Sequence, residues 1–171
     1  DNLPEESQEE AQETDDEDSH ESYFEVYNDY MRSDQWKQDL VDRGSEWMMT
    51  GSPPTNGTAY FDNYTSVDIN FHDMNKDGIP EMIFRREDQN SWGNRGFETI
   101  SGLCTIKDGK VEMLTCRFKS GGTMGGQYLF FGYDTLKERY LVYASGYDGE
   151  FDASNGYSAC YGYDGNLYIV D

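Results

Sequence analysis

Positive charge is scarce in this chain. Thirteen Lys and Arg stand against 34 Asp and Glu in 171 residues, for a net charge of −21. Residues 1–22 hold eleven acids and neither Lys nor Arg, and the remainder still sets 23 acids against 13 bases. Nucleic-acid binding needs clusters of Lys and Arg to meet phosphates, so that class is excluded, and adhesion to an anionic membrane surface goes with it. Histidine is scarcer still, with only His20 and His72. No Cys/His spacing suits zinc and no nucleophile motif accompanies His72, so the sequence offers no catalytic residue to name. The three cysteines, Cys104, Cys116 and Cys160, are an odd number, which argues against a fully paired disulfide framework. No apolar run is long enough to span a membrane. The chain opens at Asp1 without a signal segment. An acidic spacer at that end suits a secreted or surface-tethered protein, held to a membrane only through an N-terminal anchor since removed.

Residues 1–21 read as a disordered acidic linker, because they have too little apolar content to offset the entropy of ordering. Residues 22–171 are long enough for a single domain with its own core. Tyr23, Val26, Tyr27, Tyr30 and Met31 recur at steps of three and four, the stripe of a helix that Ser19 or Ser22 could cap. Ser33 is placed to cap a second helix, in which Trp36 and Leu40 would face inward together, with Gly44 as its stop. Trp47 and Met48 are placed to dock where the chain leaves that helix. Residues 51–63 are rich in Gly, Pro, Ser, Thr and Asn and read as a loop.

The pattern then changes to strands. Val67, Ile69 and Phe71 alternate with polar residues, and Met82, Ile83 and Phe84 form a short apolar run. Strands over 99–106 and 111–118 bracket Asp108-Gly109, a strong hairpin signal. Segments 127–132, 139–145, 157–161 and 167–170 follow, each bounded by Gly, Asp or Asn. Gly-Tyr-Asp recurs at 132, 146 and 162, a hint of successive strand–turn–strand units. Two short helices ahead of a mostly antiparallel, meander-like β-sheet make an α+β fold. With a two-residue turn at 108–109, Cys104 faces Met113 and Cys116 falls on the other face, which disfavours a bridge between the two cysteines.

The most specific stretch runs from Asp73 to Glu81. Oxygen side chains stand at its positions 1, 3, 5 and 9 (Asp73, Asn75, Asp77, Glu81), and Gly78 occupies position 6, where the backbone must turn sharply. That is calcium-loop spacing. An EF-hand would need flanking helices and an acid at position 12, where this chain has Phe84 and strand patterns.

The stretch from Val67 to Phe84 resembles the strand–calcium loop–strand element of FG-GAP/VCBS-type repeats. More closely, it resembles the Asp-x-Asn-x-Asp-Gly-Ile-Pro-Glu signature of uncharacterised secreted proteins and lipoproteins of Gram-positive gut anaerobes. The resemblance covers roughly residues 22–118 and is specific only at the loop. It implies Ca²⁺ held by side-chain oxygens of Asp73, Asn75 and Asp77, by the Ile79 carbonyl and by Glu81, with a structural rather than catalytic role. It also implies an extracellular or cell-surface location.

Aromatic residues are plentiful: 14 Tyr, 9 Phe and 3 Trp. Trp92 lies in a polar loop, where a large aromatic could stack on a sugar or anchor a partner. Tyr147, Phe151, Tyr157 and Tyr161 have similar surroundings, but strand packing is the favoured account of them. The expectation is a monomeric, calcium-stabilised binding module for a glycan or protein ligand. The alternatives are a calcium-stabilised secreted hydrolase with unidentified carboxylates, or a purely structural accessory domain.

Overall fold

The computed structural model describes residues 17–43, 57–88, 99–119, 127–146 and 157–170. Two helices, α1 (Glu17–Arg32) and α2 (Gln35–Asp42), precede a short 3₁₀ turn (Gly57–Phe61) and eight strands. The strands are β1 (Asp68–His72), β2 (Glu81–Glu87), β3 (Thr99–Lys107), β4 (Lys110–Lys119), β5 (Gln127–Asp134), β6 (Arg139–Gly146), β7 (Tyr157–Tyr163) and β8 (Leu167–Ile169). They form two antiparallel four-stranded meanders, β1-β2-β3-β4 and β5-β6-β7-β8. The fold is α+β, as the order of elements predicted.

The expected stripe of α1 is the buried one: Tyr27, Tyr30 and Met31 are core residues, with Tyr23 and Val26 packed beside them. The helix starts at Glu17, inside the segment read as linker, so Ser19 and Ser22 lie within it and do not cap it. Ser33 joins the two helices. Its amide donates to the Asp29 and Tyr30 carbonyls, its Oγ donates to the Tyr30 carbonyl at 2.8 Å, and the same Oγ accepts the Gln35 N–H at 3.1 Å. Trp36 and Leu40 are buried together on α2. Gly44, Trp47, Met48 and most of the 51–63 loop lie outside the described residues.

The helices cover one face of the first sheet, and the second sheet packs against the other. Consecutive residues of β2 therefore serve different cores. Met82 and Phe84 join the helices, while Ile83 joins the second sheet. In β3, Ile100, Cys104 and Ile106 face the helices and Leu103 faces the second sheet. Burial on both faces is why these strands read as apolar runs rather than alternations. Arg86 ties the layers together. Its guanidinium lies 4.3 Å over the Trp36 ring and donates to the carbonyls of Met31 at 2.8 Å and Tyr64 at 3.2 Å.

The β3–β4 hairpin corrects one expectation. Asp108 and Gly109 have φ of +51° and +73°, the left-handed pair of a two-residue turn. Pairing runs as predicted from Lys107↔Lys110 to Cys104↔Met113, but Leu103 then faces Thr115. The extra residue, Leu114, is a β-bulge, and it returns Cys116 to the face that carries Cys104. Both thiols are fully buried in the helix-facing core. All three cysteines are free.

Candidate functional site

The 73–81 stretch connects β1 to β2, so the strand flanks expected from sequence are present. Its backbone enters the left-handed region at Lys76 (φ +61°) and Gly78 (φ +86°). The oxygens of the loop meet its own N–H groups. Asp73 accepts from Asp77 N–H at 3.2 Å and from Gly78 N–H at 2.8 Å. Asn75 accepts from Asp77 N–H at 3.3 Å and donates to the Asp77 carboxylate at 2.8 Å. Asp77 also accepts the Ile79 N–H at 2.8 Å, and Ile79 packs against the helix-facing core. Tyr27 reaches from α1 and donates to the Pro80 carbonyl at 2.7 Å, which fixes the loop's exit to the helical layer. Burial pushes the Tyr27 hydroxyl well above its ordinary range, so it stays a donor.

Glu81 behaves differently from the other three. It is fully buried. One carboxylate oxygen accepts the Met74 N–H at 2.8 Å and the other accepts the Thr105 hydroxyl at 3.1 Å. Loss of water pushes its pKa up to about 7; the two hydrogen bonds oppose that rise, and the charges of Asp77 and Asp73 add to it. The two charges that act on Glu81 here are both negative. The donor set consists of hard oxygens, the right chemistry for calcium, and a cation would supply the missing counter-charge. Distance is the point of disagreement. Among the described residues no three His, Cys, Asp or Glu side chains converge closely enough to hold a metal. Glu81 is turned inward to Met74 and Thr105, while Asp73, Asn75 and Asp77 ring the mouth of the loop.

His72, next to Asp73, is accounted for by packing. Its ring stacks on Tyr140 at 3.9 Å and meets Phe131 edge-on at 4.8 Å. Burial lowers its pKa, so it is neutral at pH 7. Trp92, Tyr147 and Phe151 lie outside the described residues. Tyr161 packs partly buried against the core between the sheets, and its hydroxyl meets the Arg117 guanidinium.

A second feature was not picked out from sequence. A cleft of about 190 Å³ opens where β1 and β2 face β5, lined by Asp68, Asn70, His72, Ile83, Arg85 and Leu129–Phe131. Its polar side is one face of β1, residues 68, 70 and 72. The alternation of Val67, Ile69 and Phe71 with polar residues signals that face, but a solvent-facing strand would look the same. What makes it a cleft is β5, some sixty residues later in the chain.

Comparison with protein-family models, with curated proteins and with solved structures finds no match.

Proposed function

We propose that this chain is an extracellular, calcium-stabilised binding module rather than an enzyme, and that its ligand is a glycan or a protein. The observation that carries the reading is Glu81, a buried carboxylate at the closing position of a calcium-spaced loop, on which the charges of Asp77 and Asp73 also act. A group in that position is costly to ionise unless a cation is supplied. Asp73, Asn75, Asp77 and the Ile79 carbonyl would hold the ion, and Glu81 would close the site only by turning from Met74 and Thr105. Bound calcium would supply the positive charge and fix the β1–β2 connection. Extracellular modules bind calcium with Kd of about 10⁻⁴–10⁻³ M, so such a site fills outside a cell and empties inside one. That supports a secreted or surface location.

Thermal melting in calcium against EDTA tests the metal. With Kd near 10⁻⁴ M, about 10 mM calcium contributes roughly 2.7 kcal/mol by mass action. For a chain of this size that raises Tm by about 5–10 °C. Asp77→Ala removes two exposed loop hydrogen bonds, so it should melt only slightly below the parent in EDTA and lose the calcium shift. An unmoved Tm in the parent protein would remove the calcium reading. A glycan array with and without calcium tests the binding half.

A further inference from the structure

We propose that the cleft between β1, β2 and β5 is a binding site for one uncharged pyranose ring. The inference rests on the binding-module reading above but not on calcium. Asp68, Asn70 and His72 alternate along one face of β1, spaced about 7 Å apart by the strand repeat. Ile83 stands cross-strand from Asn70 on the same face, and with Leu129 of the facing β5 it forms an apolar floor, each 3% exposed. Phe131, held edge-on to His72 at 4.8 Å, makes the wall. One side of the cleft thus offers hydrogen bonds and the other offers carbon. A pyranose has hydroxyls around its rim and C–H groups on its faces, which match those two sides.

Charge narrows the class further. Arg85 is the cation of the cleft, and Asp68 already holds it at 3.0 Å. The His72 ring is packed against Tyr140 and Phe131, and Asn70 carries no charge. The lining is therefore balanced, with no spare positive group for a carboxylate, sulfate or phosphate, on a chain of net charge −21. Among the described residues the Asn70 carboxamide has no hydrogen-bond partner, and nor do the ring nitrogens of His72. Asn70 is exposed and open to hydroxyls. Small-molecule pockets for drug-sized ligands run to about 300–1,000 Å³. At about 190 Å³ this one has room for a single ring, as a terminal residue or as one unit of a chain.

A ligand of that size binds with Kd on the order of 1 mM. The test is ¹H–¹⁵N correlation NMR of the whole chain. The methyl glycosides of glucose, galactose, mannose and N-acetylglucosamine are each titrated to about tenfold that Kd, with glucuronate as the charged control. The proposal expects saturable shifts confined to residues 68–72, 83–85 and 129–131 with at least one neutral glycoside. It expects binding about three- to tenfold weaker in Asn70→Ala, the loss of one hydrogen bond. Asn70 is exposed, so that variant should melt like the parent, and Arg85→Ala is the second variant. Shifts that map elsewhere, equal or tighter binding of glucuronate, or undiminished binding by both variants would overturn the cleft. Glycan-array binding that ignores both variants would leave the module reading standing and the cleft refuted. A blank array with blank titrations would remove both.

Discussion

The two faces of the first sheet are built on different principles. Toward the helices, fourteen of the described residues form one cluster, rich in aromatics and without a buried acid. Trp36, Phe61 and Phe84 meet there with centroids 6.1–6.2 Å apart, and the polar atoms are Tyr tips that reach donors or acceptors at the margin. Toward the second sheet the cluster has seven buried residues, and the same face of the first sheet also buries Glu81, Ser101, Thr105 and Thr115. These polar groups are satisfied locally. Ser101 accepts the Leu129 N–H at 3.1 Å, Thr105 donates to Glu81, and Thr115 accepts from Arg117 at 2.9 Å. The first face is a folding core; the second resembles an interface. The loop carboxylate and the cleft both belong to the second. A buried acid or an open cleft costs least where apolar packing is already thin.

The largest effects should separate the two faces directly. Leu40 is fully buried among the helices, and Leu129 sits at 3% exposure between the sheets beside the cleft. Burial is equal, but the surroundings are not. Leu→Ala costs about 2–5 kcal/mol depending on how far the site can collapse. Leu40→Ala should fall near the top of that range and Leu129→Ala near the bottom, by urea denaturation. Equal losses would mean that the two faces are one core.

Glu81 sharpens the contrast through pH. Its pKa rises on folding from the ordinary 4.5 to about 7. Between those values the folded protein holds a proton that the unfolded chain has released. The stability this group contributes is therefore complete below pH 4.5, declines as pH rises, and is gone above pH 7. The full span is roughly 3 kcal/mol. In EDTA the parent should lose stability across that window relative to Glu81→Gln, which cannot ionise. In calcium the ionised form is favoured, and the decline should flatten or reverse. Matching slopes for parent and variant in EDTA would show that Glu81 titrates normally.

Glycines give a matched pair, one on the helix-facing side of the first sheet and one on the outer side of the second. A Cβ on Gly102 would stand 2.4 Å from Phe84 Cε1, and one on Gly162 would stand 2.2 Å from Tyr168 Cζ. In both cases an aromatic from the neighbouring strand lies over the glycine. Phe84 is fully buried and has nowhere to go, so Gly102→Ala should cost about 1–3 kcal/mol as overpacking. Tyr168 is only partly buried on the outer surface of the second sheet and can swing out, so Gly162→Ala should cost less than about 1 kcal/mol. Comparable losses would mean that the outer aromatic layer is as rigid as the core. Gly162 and Gly132 both belong to the Gly-Tyr-Asp recurrence, and a Cβ on Gly132 would meet Tyr143 in the same way. The recurrence thus reflects a cross-strand packing device as well as turn chemistry.

These elements show how far local pattern reaches. The α1 stripe, the α2 pair, the hairpin at Asp108-Gly109 and the strand flanks of the calcium-spaced loop are legible because each is decided by residues within about ten positions. The division into two sheets is not. Segments 99–119 and 127–146 read alike as strands, and which face meets which is decided by packing across the molecule. The bulge at Leu114 is similarly hidden: a single residue reversed the face of Cys116 with no glycine to mark it. The role of Glu81 was half legible. Spacing marked it as a ligand candidate, but its burial depends on Met74 and on Thr105, twenty-four residues away. The cleft was invisible for the same reason, since its two sides are separated by the whole β2–β4 passage.

The smallest effect bears on the cleft. Asp68 and Arg85 are an exposed pair at 3.0 Å, with side chains 57% and 40% accessible. Such pairs contribute about 0–1 kcal/mol because water already screens them and long side chains lose entropy in forming them. Asp68→Asn should therefore leave the urea midpoint nearly unchanged. The same substitution frees the Arg85 guanidinium and gives the cleft a net positive charge. Its selectivity should then shift away from neutral glycosides and toward glucuronate, read as a change in the ratio of their NMR-derived Kd values. A stability loss well above 1 kcal/mol would place the pair in the structural half of the comparison. A selectivity ratio that does not move would separate the pair from ligand binding, and the neutrality argument for the cleft would fall with it.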